Sequence, residues 1–291
     1  MKNYLVYPYD NSPEKKYATI WKEFNDLDDR AKQEGRLLTR TEWERKLAIV
    51  EQIAAAEPQW IDGYWLVANV RYMLASTYMG KEDLHTPRVI LAVGREKTRT
   101  CLKLQPDNPI CKMVFAGIIA KIATIDGVLA SLSQAETVHR LWLEVIDSPY
   151  NHYFTARVSM QGAVRYGLGI YHRLIPDFLV IQWLFNVRGN INQSIKYLKE
   201  AIAIDGEFPC TRVMLGVSLI CSASSDQQHP NYSEGIKSLQ KAEKLPRWAQ
   251  ISDVCKADAK RIIKNTNLAC GYSTSQQQEQ HDQSKLKTLK K

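Results

Sequence analysis

The sequence predicts an all-α protein, a right-handed α-solenoid of about five helical hairpins. Three observations predict it. Strand-like alternation is scarce, and 14 Gly and 11 Pro are few for an all-β chain of 291 residues. Four stretches repeat one layout, an amphipathic run, a Pro or Gly corner beside an acid or amide, then a second apolar run. They turn at Pro58, Pro106, Gly206 and Pro246. Hydrophobic residues make up 45% of the chain, enough for a sizeable core. A lone hairpin cannot bury its apolar face, so repeated hairpins must stack.

The elements follow in order. Residues 1–12 read as extended, with Tyr4, Tyr7, Pro8 and Tyr9. A first helix over 13–35 opens near Pro13, carries Ile20, Trp21, Phe24, Leu27 and Ala31 on one face, and stops at Gly35. Thr41 with Glu44 fits a capping box for the next helix, which ends near Pro58. Its partner starts near Asp62. A polar connector at 77–87 leads to a helix capped by Thr86, opened by Pro87 and ended at Leu104. In "QPDNP", Pro106 cannot continue a helix, and Asp107 or Asn108 can cap the following one over 109–131. Ser133 caps a helix ending at Ser148–Pro149, and another runs from Asn151 to Leu174 with Phe154, Val158, Val164 and Tyr171 inward. Helices over 191–204, 209–223, 232–244 and 248–265 complete the array. Residues 1–36 thus form an N-terminal extension and capping helix, 37–268 the repeat domain, and 269–291 a disordered polar and basic tail.

Within "SIKYLKEAIAIDGEFPCTRVMLGVSL", Ala201 offers a small residue where paired helices meet, and Leu215-Gly216 opens the following first helix. "CLKLQPDNP" supplies a closing Pro, with Ala116-Gly117 as the small pair. These features resemble the tetratricopeptide repeat, and the corner spacing is longer and less even than its period of about 34 residues. Gly169, Tyr171, Pro176, Gly189 and Ala201 are also similar to the pattern of the T-component proteins associated with tripartite ATP-independent periplasmic transporters, and to the tetratricopeptide-like region of regulators of microtubule dynamics. The resemblance implies a scaffold or adaptor that binds a protein or peptide in a concave groove. The second resemblance implies a small apolar ligand or an oligomeric assembly.

The net charge of +8 is dispersed, with part of the excess at Lys285, Lys287, Lys290 and Lys291. Without a basic stripe on one face, nucleic acid is not an expected partner. The apolar stretch from Met113 to Leu132 contains Lys121 and Asp126, which argues for a buried helix and against a membrane span. The first residues hold no apolar signal region and no lipid-anchor Cys, so the expected location is cytoplasmic, or periplasmic if a signal sequence has been removed. The six Cys form no C-x-x-C and read as small buried hydrophobes in a reducing cytosol. In an exported protein, Cys101/Cys111 and Cys210/Cys221 bracket corners and are the first disulfide candidates.

No catalytic, cofactor-binding or metal-ligating residue is nominated. There is no G-x-S-x-G, no phosphate-cradling Gly loop, and His139, His152 and His172 lack ligand companions at helical spacing. The candidate partner surface has two parts. Trp65 and Tyr72, in an aromatic group at helical spacing that favours core packing over a concave lining, accompany Arg71, Arg157 and Arg165, placed on the first helices of their units. Those arginines suit a partner carboxylate or a solvated face. The run 178–185, with Phe178, Trp183 and Phe185, is either an inserted helix under the array or an exposed patch for a homo-oligomer or apolar ligand.

Overall fold

The computed structural model describes residues 3–78, 83–224, 226–249, 251–274 and 276–278. Part of the expected connector at 77–87, and residues 279–291 of the expected tail with its lysines, lie outside these. The chain begins with β1 (Leu5–Val6), α1 (Ser12–Lys16) and α2 (Ala18–Gln33), then α3 (Arg40–Ala56), α4 (Ile61–Ser76), α5 (His85–Leu104), α6 (Pro109–Asp126) and α7 (Ala135–Asp147). Three short strands follow, β2 (Tyr150–Asn151), β3 (Tyr153–Thr155) and β4 (Val158–Ser159). Then come α8 (Met160–Leu174), α9 (Leu179–Phe185), α10 (Ile191–Asp205), α11 (Pro209–Ser222), α12 (Pro230–Lys244), α13 (Ile251–Lys264), and the hairpin β5 (Tyr272–Ser273) and β6 (Gln276–Gln277).

The corners at Pro58, Pro106, Pro149, Gly206 and Pro246 all separate successive helices, and the whole is a stack of helical hairpins. One layer consists of α4, α6, α8, α11 and α13, each touching the next. The helices α5, α7, α10 and α12 form the second layer, each packed on the first-layer helix that precedes it. The tightest pairs are α4 with α5, α8 with α10, and α11 with α12, so the closest units are offset by one helix from the hairpins read across the corners.

Small residues set these close approaches. A Cβ on Gly216 of α11 would sit 2.9 Å from the carbonyl oxygen of Gly235 on α12, and one on Gly235 would sit 2.8 Å from that of Gly216. A Cβ on Gly94 of α5 would lie 3.6 Å from the backbone of Ala68 on α4. Ser194 of α10 donates its hydroxyl to the Gly169 carbonyl of α8 at 2.6 Å. With backbones this near, the flanking Leu, Ile and Val side chains interlock into cores running through α4 to α9 and through α10 to α13.

Local chemistry moves several boundaries. The capping box forms at Thr39 and Glu42, two residues before the expected Thr41 and Glu44. Both pairs fit the motif, but Arg36 grips Glu42 with a two-pronged ion pair at 2.7 and 2.8 Å and fixes the first choice. That guanidinium also holds the Glu42 carboxyl down at about 2. The fifth helix opens at His85 because the Asp83 carboxylate, not Thr86, accepts from the His85 and Thr86 amides. Gly127, at φ +103°, ends α6 at Asp126 instead of 131, and a 3-10 turn over 129–134 replaces the Ser133 cap. The first helix breaks at Tyr17.

The expected helix from Asn151 starts nine residues later. Residues 150–159 instead pair with the N-terminal strand, β1 lying parallel to β2, and then fold back as β3 and β4. Phe154 and Val158 therefore lie on strands. Ser159 caps α8, accepting from the Gly162 amide at 3.0 Å.

All six cysteines are bridged, which overturns the reduced reading. Cys101–Cys111 closes the Pro106 corner as expected of an exported chain. The other expected pair fails because Cys210 and Cys221 both lie on α11, about 16 Å apart along its axis. Cys210 instead joins Cys255 of α13, and Cys221 joins Cys270 beyond it. Ala269 and Tyr272, assigned to the expected tail, are instead packed in the core at 1% and 0% exposure.

Two glycines on equivalent layers should respond oppositely. Gly216→Val should lose about 1–3 kcal/mol by overpacking against Gly235 and Leu239. Gly117→Ala, whose new Cβ meets nothing within 4 Å, should gain about 0.5–1 kcal/mol from helix propensity. Urea denaturation of both variants checks the contrast.

Candidate interaction site

The first-layer helices leave one face incompletely covered. On α6 the core takes Cys111, Val114, Ile118 and Ile122, while Met113, Gly117, Lys121 and Thr124 share a half-buried face. On α4 the matching face carries Asn69, Tyr72 and Met73, and on α8 it carries Ala163 and Tyr166. After burial, the Tyr72 phenol on α4 is a further influence raising the pKa of Tyr166 on α8, although α6 lies between their helices. The half-buried faces of α4, α6 and α8 adjoin as one strip, here called the trough, with Gly117 and Lys121 on its α6 floor.

The trough is bounded by the two chain ends. At the N-terminal ends of the helices, the first residues run from α8 to α4. Tyr4 Oη accepts from Arg165 at 3.2 Å. The Tyr7 amide donates to Asn151 O at 2.8 Å, and Tyr7 Oη donates to Asp62 Oδ1 at 2.8 Å. Asn108 donates to Tyr7 Oη at 2.7 Å. Asp62 also accepts from the Trp65 indole at 2.6 Å and the Asp10 amide at 2.9 Å, so one carboxylate ties strand, α4 and corner together. A cleft of about 570 Å³ opens beside Tyr7, Asp62, Asn108 and Tyr150, but these are the groups already paired. At the opposite ends, Gln278 donates to Thr124 O at 2.8 Å and accepts from the Val128 amide at 3.0 Å.

Burial raises the tyrosine pKa of both Tyr72 and Tyr166. Burial also lowers the Lys121 ammonium to about 8. No carboxylate or carbonyl among the described residues pairs with that ammonium. It is a half-buried cation on the floor of the trough with no protein partner among the described residues.

The residues singled out from sequence separate into three groups. Tyr72 lies in the trough. Trp65 does not, being 2% exposed and packed in a cluster with Tyr9, His152 and Phe154. The arginines are committed to the chain itself. Arg71 pairs with Glu51 of α3, and Arg165 pairs with Glu200 of α10 at 3.1 Å. Arg157 lies on no helix; it sits in the β3–β4 turn, stacked 3.5 Å over Trp248. The apolar run divides within one helix. Phe178, Val180, Ile181 and Phe185 pack on the core, while Leu179 and Trp183 are 72% and 82% exposed. Sequence reasoning missed Lys121, treating it only as an interruption of an apolar stretch, although an uncompensated Lys within a buried helix was itself the signal.

A second aromatic group joins α7, α8 and α10. His139 stacks on Tyr171, and His172 stacks on Tyr197. Burial depresses both imidazoles, His172 to about 4, so both are neutral at pH 7.

No protein-family model and no curated protein matches the chain. Among solved structures, TTC0263, a thermophilic tetratricopeptide-repeat protein of Thermus thermophilus, aligns with 82% of this chain and 99% of its own at 12% identity and a TM-score of 0.49. Among the described residues no helix is long and apolar enough to cross a membrane.

Lys121 gives a pH signature. Its folded pKa of about 8 lies below the unfolded value near 10.4. Between those values the unfolded chain holds more protons, so this group makes stability rise with pH across that window. Lys121→Met should therefore raise the melting temperature at pH 7, with the advantage shrinking above pH 8 and gone by about pH 10.5. Thermal melts of both proteins from pH 6 to 10 check it.

Proposed function

We propose that this chain is a non-catalytic interaction protein, and that its trough takes an extended segment of a protein partner with an acidic side chain seated on Lys121. The observation that carries the reading is Lys121 itself. A desolvated ammonium without a partner costs stability and is relieved by a carboxylate. Tyr72 and Tyr166 on either side of α6 supply apolar surface with polar tips for the flanking residues. The straps at both helix ends favour a narrow occupant over a folded domain. The three disulfides support an oxidising compartment rather than the cytosol.

Titrating the protein with a hexaglutamate peptide at low salt tests this. Lys121→Met should weaken binding at least tenfold. Affinity should also fall at pH values above the bound-state pKa of Lys121, because the ammonium is then lost. Unchanged binding by Lys121→Met would end the reading.

A second reading rests on the ridge of α9. The exposed Leu179 and Trp183 lie one turn apart and support self-association with a second copy. Leu179→Ser with Trp183→Ser should convert a dimer to a folded monomer in light scattering. Phe185 is unsuited to this test because it packs on the core.

A further inference from the structure

The segment after α13 turns back across the array, opposite to the direction in which the hairpins advance. It leaves α13 through a 3-10 turn at 266–268 and is bridged to the end of α11 by Cys221–Cys270. It then passes α8, where Arg173 donates to Ala269 O at 3.2 Å and to Cys270 O at 2.9 Å. It reaches α6, where the Gln278 side chain closes the contact with Thr124 and Val128. The segment folds back as the β5–β6 hairpin, with the Gln278 amide donating to the Gly271 carbonyl at 2.7 Å, and touches the C-terminal ends of α11, α8 and α6 in turn.

Two features set this contact apart from ordinary capping. The first is the exposure of its disulfide. Cys101, Cys111, Cys210 and Cys255 are 0%, 0%, 4% and 0% exposed, so their bridges are core staples. Cys221 and Cys270 are only half-buried, so this bridge is the most solvent-exposed of the three. The second is Arg173. It is 4% exposed, has no carboxylate within ion-pair distance among the described residues, and its Nε has no hydrogen-bond partner. Among the described residues its only oxygen partners are the two strap carbonyls, and Nη2 faces Met214 Sδ at 3.3 Å. Neutral carbonyls hold a guanidinium far less well than a carboxylate does.

We propose that residues 266–274 and 276–278 form a redox-released strap: reduction of Cys221–Cys270 frees it from α11, α8 and α6 and uncovers Arg173 as a second site for a carboxylate of the bound segment. This rests on the trough reading for the ligand, though not for the release. The reductant is a dithiol. One of its thiolates attacks Sγ of either cysteine, the Sγ–Sγ bond breaks, and the displaced thiolate takes a proton. The second thiol of the reductant resolves the mixed disulfide. Two electrons pass to the protein, which ends with two thiols, and the reductant ends as a disulfide. Released, the strap exposes the C-terminal end of the trough, lengthening it from α6 toward α11. Asp258 then loses its hydrogen bond from Tyr272 Oη, which is 2.8 Å long in the closed state.

Graded dithiothreitol treatment of the full chain, with alkylation mapped by mass spectrometry and amide exchange read on the same samples, tests the release. The expected result is alkylation of Cys221 and Cys270 at concentrations that leave the other four cysteines bridged. Exchange at 268–274 should then rise more than tenfold while α4, α6 and α8 stay protected. Simultaneous opening of all three bridges would overturn the proposal, as would continued protection of 268–274 after both thiols are alkylated. The Cys221→Ser, Cys270→Ser double variant gives a second route without reductant. With helical circular dichroism intact, it should show the same exchange; native protection there would also overturn the release.

The ligand arm uses hexaglutamate. The opened protein should bind it at least tenfold more tightly than the bridged one, and Arg173→Lys should remove most of that gain. Equal binding by opened and bridged protein would reject Arg173 as a ligand site. Exchange needs no peptide, so failure of the trough reading with Lys121→Met leaves the release experiment independently decisive.

Discussion

The array depends on backbones that touch. Helices bearing ordinary side chains at their crossings sit 8–10 Å apart, and their flanking residues interlock only loosely. Here Gly216 meets Gly235, Gly94 meets Ala68, and Ser194 bonds the Gly169 carbonyl, so three helix pairs close to near backbone contact. The pair α6 with α7 departs from the rule, since the small residue Gly117 faces the trough instead of the partner helix and leaves room above the floor.

A stack of hairpins has two open ends and no sheet to close it. This chain closes the edges instead with its own termini. The N-terminal strand ties α4, α6 and α8 at their starts through Asp62, Asn108 and Arg165. The C-terminal segment ties α6, α8 and α11 at their finishes through Gln278, Arg173 and Cys270. Disulfides add to this most where loops are long, and the bridges spanning 45 and 49 residues both anchor the final third of the chain. The array is thereby made stiff at its edges and left uncovered along its middle.

Much of this was legible from residue patterns. Pro58, Pro106 and Gly206 mark corners because Pro lacks the amide a helix needs and Gly accepts the turn. Asn108 caps α6 as its side chain dictates, accepting from the Ile110 and Cys111 amides. The misreadings share one cause, which is that a distant partner decided between local options of similar strength. Arg36 chose Thr39 over Thr41. The N-terminal strand drew residues 150–159 out of a helix, although Tyr153, Phe154, Thr155 and Val158 already had the β-favouring character to follow. The cysteine pairing followed three-dimensional adjacency of α11 with α13 and the strap, which sequence separation does not encode. In the apolar run 178–185, periodicity did hold the answer: Ile181 and Phe185 lie one turn apart on the core face, and Leu179 and Trp183 one turn apart on the outer face.

Two unpaired cations, the half-buried Lys121 and the buried Arg173, then separate the functional surface from the structural one. Lys46 is also buried, but Asp28 and the Phe24 carbonyl compensate it, and its role ends with fold stability. Arg165 and Arg71 are likewise neutralised by Glu200 and Glu51. Lys121 and Arg173 are not neutralised by any described carboxylate, and both face the region bounded by the straps. A purely structural array would be more stable with an apolar residue at each position, because desolvating an unpaired charge opposes folding. Two such positions on adjacent first-layer helices, one uncovered and one under a removable segment, place the unspent charge where an acidic chain would lie. The energetic cost of each site in the free protein is what an incoming carboxylate would recover on binding.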